Sequence, residues 1–207
     1  MIHLQENSLI GSGTLRACYL HPDKEEFIVK VALADQAKGD DANQKELKSY
    51  QQLKQDNNKL KHISHCHGFV ETDKGSGLIC DCIRDFDGAV SKTIWDIVVH
   101  QDVCDLDYLL EVTGGFCDYL ISNDMFLFDI NLKNVALQKL EDNTYRPYAI
   151  DLKGPYDNKE FLKLSSRIKL LGRKKLKRRA DQLLERIVLF REQRESLKQL
   201  EEKPESK

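Results

Sequence analysis

Asp129, Asn134 and Asp151 carry the side-chain oxygens that could do chemistry in this chain. Asp129 ends the apolar run Phe126-Leu127-Phe128, and Asp151 ends Ala149-Ile150; Asn134 follows Asp129 by five positions. Hard carboxylate and amide oxygens suit Mg²⁺, and a carboxylate can also take a proton from a hydroxyl. Brought together, the three residues make a divalent-cation and proton-acceptor site. Kept apart, they read as a polar hairpin with solvated turns.

The elements around them decide between these readings. Val135, Leu137, Tyr145, Tyr148 and Ile150 are the apolar positions of a hairpin whose turn is Glu141-Asp142-Asn143-Thr144. A hairpin joins its two ends, so Asp129, Asn134 and Asp151 should converge on one rim. Upstream, Leu106, Leu109, Leu110, Thr113, Phe116, Cys117, Leu120 and Ile121 recur at helical spacing, with Asp105 as N-cap. Gly114-Gly115 interrupts that helix at about 1 kcal/mol per glycine. Close packing against a neighbour would explain the pair; so would a break.

Toward the N-terminus, Ser8–Tyr19 reads as strand, glycine-rich turn, strand. Gly11 and Gly13 let backbone N–H groups approach phosphate oxygens, although ordinary hairpins also use such pairs. Glu26–Ala32 is a strand that carries Lys30 between Val29 and Val31. That lysine either faces solvent or is held inward by a carboxylate. Gly39-Asp40-Asp41 opens a helix over about Asn43 to Asn57, whose apolar stripe includes Tyr50, Leu53 and Glu46. A carboxylate on a core-facing stripe needs a cation, and Lys30 is the candidate. His67–Cys82 forms a further hairpin about a turn at Asp73–Gly77, completing a five-stranded antiparallel sheet with one helix. His62, His65, Cys66 and His67 resemble metal ligands only superficially, because neighbouring residues on a strand point to opposite faces.

Composition excludes several classes. The 207 residues are 41% hydrophobic, enough for one good core, and the net charge of −2 gives no general affinity for nucleic acid. No apolar run reaches the length of a membrane span, and the N-terminus has neither the basic nor the apolar part of a secretory signal. Six cysteines are too sparse for a disulfide scaffold, so a cytoplasmic, reduced setting is the expectation. Charge is concentrated in Arg167–Arg179, with eight basic residues and no acid. A helical stripe of Leu176, Ala180, Leu183, Leu184, Ile187 and Phe190 runs through and beyond this segment, with no Gly or Pro from Arg173 to Lys203. Its cations form either a solvated face or a patch for an anionic partner.

In order, Gly11-x-Gly13, Lys30, Glu46, Asp129-x4-Asn134 and Asp151-Leu152-Lys153-Gly154 resemble the motifs of protein-kinase-like phosphotransferases. More narrowly, HGFVETDKGSGLICDCIRDFDG, residues 67–88, together with the short tail, resembles the PhoP-regulatory-network protein family of small bacterial proteins. The resemblance implies an α+β, protein-kinase-like fold. A small N-terminal antiparallel sheet with one helix would occupy residues 1–83. A reduced, mainly helical C-terminal lobe, with the catalytic-loop hairpin and basic helical tail, would occupy 84–207, and the connector Ile83–Gly88 would line an adenine pocket. It also implies ATP and Mg²⁺ as cofactors. Gly11 and Gly13 would cover the phosphates, Lys30 with Glu46 would grip them, Asn134 and Asp151 would hold Mg²⁺, and Asp129 would orient the acceptor hydroxyl. The chain departs from the pattern at Arg16, where a third glycine is expected, at Leu127-Phe128, in place of His-Arg, and at Asn131, in place of lysine. The last two changes bear on transfer more than on nucleotide binding, and Lys133 is the cation placed to substitute. Few residues follow Gly154, which favours a small or non-protein acceptor over a peptide. Two alternatives stand beside this phosphotransferase: a nucleotide-binding pseudokinase acting as a regulatory module, and a protein that binds an anionic partner through Arg167–Arg179.

Overall fold

β-branched and aromatic residues in short alternating runs form the first sheet. The computed structural model describes residues 1–33, 35–54, 60–100, 104–127, 129–152 and 169–201. Strands β1 (Leu9–Ser12), β2 (Arg16–Leu20) and β3 (Phe27–Ala32) are followed by helix α1 (Gln36–Leu53), then β4 (Cys66–Thr72) and β5 (Gly75–Asp81). All pairings are antiparallel, in the order β1-β2-β3-β5-β4. Alternation along β3 sends Val29 and Val31 into a small cluster with Leu4, Ala17 and Tyr19. Ile28 and Lys30 face the other way, toward α1.

Two boundaries differ from expectation. Helix α1 begins at Gln36, a full turn and more before Asn43, because Asp35 caps it by accepting from Lys38 N at 3.3 Å. Gly39 lies inside its first turns rather than before them. A Cβ there would stand 2.3 Å from the Ala32 Cβ, so only glycine lets α1 sit so close to β3. At its other end α1 stops at Leu53, and residues 55–59 lie outside the described part. The β4–β5 turn contains only Asp73 and Lys74, with Gly75, Ser76 and Gly77 paired in β5. Thr72 Oγ1 accepts from Lys74 N at 3.1 Å and donates to Gly75 O at 2.6 Å, closing the turn early.

A second sheet carries the hairpin. Short β6 (Lys92–Thr93) leads into helix α2 (Ile94–His100), neither evident beforehand, and then α3 (Leu106–Ser122) precedes β7 (Val135–Lys139) and β8 (Tyr145–Ala149). The sheet order is β6-β7-β8, with Asn143 at φ 64° in the turn. Asp105 caps α3 as expected, accepting from Asp107 N and Tyr108 N at 2.9 and 3.2 Å. The chain closes with α4 (Lys169–Glu201), which buries Leu176, Ala180, Leu183 and Ile187 against α3 and α2. One apolar cluster runs from Ile28, Leu78 and Cys80 of the first sheet through Leu109, Phe116 and Leu120 to these α4 residues. The architecture is thus α+β: a five-stranded antiparallel sheet with one helix, and a helical C-terminal part. Among the described residues, no helix is long and apolar enough to cross a membrane.

Candidate functional site

The centre of the site is Glu46, only 2% exposed on the α1 face that covers β3. It accepts from Lys30 Nζ through Oε1 and from Arg16 through Oε2, each at 2.5 Å. Lys30 lies inward, 3% exposed, and its ammonium also donates to Ile150 O at 2.5 Å. Burial is the largest influence and would lower its pKa, but the attraction of Glu46, with Cys80 and Asp151 adding to it, raises it overall, so Lys30 stays charged. Arg16 is raised in the same way: burial opposes the charge, while Glu46 and Asp151 hold it.

Arg16 is the residue that sequence reasoning missed. Beyond Glu46, its guanidinium donates to Asn43 Oδ1 at 2.9 Å and to Asp151 Oδ1 at 2.8 Å. Asn43, fully buried, also donates to Lys30 O at 3.0 Å. Leu152 N donates to Glu46 Oε1 at 3.4 Å. Four stretches far apart in sequence thereby meet: the start of β2, β3, α1 and the segment after β8. A signal for Arg16 was present, namely a cation where the glycine pattern fails and a buried carboxylate with two oxygens to satisfy.

Hairpin closure brings the backbone beside Asp151 to Asn134, while the Asp151 carboxylate is held by Arg16. Ile150 N donates to Asn134 O at 3.1 Å, so Asp151 follows directly on a residue bonded to Asn134. Asn134 Nδ2 donates to Asp129 O at 3.0 Å and to Asp129 Oδ2 at 3.4 Å. Asn131, standing where a lysine was expected, donates to Asp129 Oδ1 at 3.2 Å, and its own Oδ1 accepts from Lys133 N at 3.0 Å. These Asx contacts fix the 129–134 turn. Leu127 is buried in the core, and its neighbour Phe128 lies outside the described residues, as do Lys153, Gly154, Pro155–Asn158, Arg167 and Lys203. Gly11 lies in β1, paired with Cys18, and Gly13 opens the β1–β2 turn. Neither has a positive φ, a Cβ at Gly11 would meet nothing, and one at Gly13 would meet only Arg16 O at 3.7 Å. Nothing in the protein's own packing requires glycine at either position.

A shallow depression of about 410 Å³ adjoins Asp129, between the 129–133 turn and α4. Elsewhere, His65 and His67 both approach Asp81, and His62 turns to a different partner. His62 Nδ1 lies 2.9 Å from Pro147 O, whereas His67 Nε2 lies 2.6 Å from Asp81 Oδ1. Among the described residues, the group close enough to share a metal is Glu46, Cys66 and Cys80, and its carboxylate is already held by two cations.

The sequence profile of the family described as "PhoP regulatory network protein YrbL" matches residues 2–188. A YrbL protein of Escherichia coli (strain K12) is 30% identical over 155 residues, which cover 73% of this chain and 72% of that protein. A YrbL protein of Shigella flexneri is similar to the same extent.

Proposed function

The chain belongs to the PhoP regulatory network protein YrbL family, and on that premise we propose that it is an ATP·Mg²⁺-dependent phosphotransferase of protein-kinase-like organisation, acting on a small or non-protein acceptor. The observation that carries the reading is the buried Lys30–Glu46 pair with Lys30 also bonded to Ile150 O, next to Asp151. Buried ion pairs contribute little net stability, since desolvation offsets their attraction. Four charges and an asparagine gathered between a sheet and a hairpin are therefore better explained by chemistry than by folding.

The residues suit the group. An amide oxygen on Asn134 and a carboxylate on Asp151 are the hard donors Mg²⁺ takes, and Gly11 and Gly13 put no side chain in the way of phosphate oxygens, the Gly13 N–H itself donating to Arg16 O at 2.8 Å. When bound, ATP·Mg²⁺ supplies the phosphoryl group. Lys30 offers a fixed cation to the phosphates, and Glu46 keeps it in place. Asp129, its carboxylate oriented by Asn131 and Asn134, receives the proton of an acceptor hydroxyl. In this reading residues 1–83 cover the nucleotide and 84–207 present the acceptor.

One observation favours a second reading, a nucleotide-binding pseudokinase. Arg16 holds an oxygen of Asp151, the carboxylate assigned to Mg²⁺. In that case the nucleotide binds with little dependence on metal and is not turned over. Calorimetric binding of ATP with and without Mg²⁺, beside slow hydrolysis, separates the two. Under the phosphotransferase reading, Asp151→Asn loses the Mg²⁺ dependence. Asp129→Asn binds like wild type but loses about 10²–10⁴-fold in turnover. Turnover equal in wild type and Asp129→Asn selects the pseudokinase; absence of nucleotide binding rejects both.

A further inference from the structure

We infer that the depression beside Asp129 is a binding site for a small molecule bearing both a phosphate group and a hydroxyl. Its polar lining is Asp129 together with Lys133, Arg179 and Arg186. Arg179 and Arg186 are seven residues apart on α4, two turns on one face, and Phe190 continues that face. Three cations thus surround a single carboxylate.

Three other cations of α4 are engaged elsewhere. Lys169 and Arg173 both reach Asp124, at 3.2 and 2.7 Å, and Arg191 donates to Cys104 O at 3.0 Å. Among the described residues, Arg179, Arg186 and Lys133 form no ion pair. Arg179 Nε is shielded from water and has no hydrogen-bond partner there, while its NH1 reaches only Gln182 Oε1, at 3.4 Å. Lys133 lies 4.8 Å above the Trp95 ring, which is itself edge-on to Phe190 at 5.2 Å. A half-shielded guanidinium whose Nε lacks an acceptor is a site prepared for an anion, and its planar fork matches phosphate oxygens. Two guanidinium groups and an ammonium suit a dianionic phosphate better than a single carboxylate. The volume fits a small molecule.

Placing the hydroxyl at Asp129 rests on the phosphotransferase reading; the anion site itself does not. The test is calorimetry at low salt with inorganic phosphate, glycerol 3-phosphate and glucose 6-phosphate, using glycerol and glucose as uncharged controls. ATP binding is measured in parallel. Wild type should bind at least one phosphate ester and neither control. The Arg179→Gln/Arg186→Gln double variant should weaken that binding about tenfold or more, with unchanged ATP affinity and unfolding midpoint. Binding of an ester without binding of ATP supports the site and rejects the phosphotransferase. No ester binding, or equal binding in the double variant, overturns the inference. So does weakened ATP binding in that variant, which would give the depression to the nucleotide. Arginine-dependent capture of a single-stranded oligonucleotide without ester binding overturns it in favour of nucleic acid.

Discussion

Glu46 holds more than one partner, and this changes what its substitution does. Glu46→Gln leaves Arg16 and Lys30 buried beside a neutral amide, whereas Lys30→Met keeps the stem volume and leaves Glu46 paired with Arg16. Removing one member of a buried charge network costs about 3–5 kcal/mol. We expect Glu46→Gln to lose close to that amount in urea unfolding and Lys30→Met clearly less. The opposite order would show that Arg16 does not depend on Glu46. Nucleotide affinity is then best probed with Lys30→Met, which should bind ATP weakly while keeping its circular dichroism. His62 gives a pH dependence. Burial lowers its pKa below the ordinary 6.5, partly opposed by the hydrogen bond to Pro147 O, with Lys61 and Arg146 nearby adding to the lowering. The unfolded chain therefore takes up the proton first. Stability is complete above about pH 6.5 and declines as pH falls below it. His62→Gln, which retains a donor for Pro147 O, should flatten the decline in unfolding midpoint between pH 7.5 and 5.5; an unchanged slope would assign it to another group.

Among the elements, the helices show what glycine does in different surroundings. Gly114 and Gly115 lie within the continuous α3, and a Cβ at either would meet nothing within 4 Å. Neither close packing nor a break accounts for the pair. Ala at either position should therefore stabilise the protein by about 0.5–1 kcal/mol, the ordinary helix preference. Gly39 has the opposite surroundings, with Ala32 Cβ at 2.3 Å and Leu15 O at 2.9 Å from its would-be Cβ. Gly39→Ala should destabilise, because α1 must move off β3 and carry Glu46 away from Lys30. Thermal unfolding of the three variants checks both signs at once. A stabilising Gly39→Ala would mean that α1 can shift without cost.

Across the whole molecule, α4 is part of the core as well as the carrier of its charge. Leu176, Ala180, Leu183 and Ile187 share one cluster with Ile28 and Leu78, so the first sheet and the last helix stabilise each other. Leu183→Ala should cost about 2–5 kcal/mol. A chain ending at residue 168 should lose the near-ultraviolet circular dichroism of fixed aromatic packing, and a sharp cooperative unfolding transition in that truncated chain would contradict this. Cations on the outer face of α4 are thereby fixed in position relative to Asp129, which a loosely attached tail could not achieve.

Local pattern was enough for much of this protein. Period-two runs marked the strands, turn residues marked both hairpins, and Asp105 with its apolar spacing marked α3, because each signal lies within a few residues of the structure it specifies. The order Gly11, Gly13, Lys30, Glu46, Asp129, Asn134, Asp151 was likewise legible, as was the need of Glu46 for a cation. Local pattern left open whether Lys30 faced solvent, and sequence reasoning missed α2, β6 and the early start of α1, although the Asp35 cap is itself a local signal. Tertiary structure alone decided that Arg16 bridges Glu46 and Asp151, and that Arg179 and Arg186 stand beside Asp129. Those neighbours are set by strand register and by the rotation of a docked helix. Both follow from burying one shared apolar core, and no short stretch of sequence encodes either.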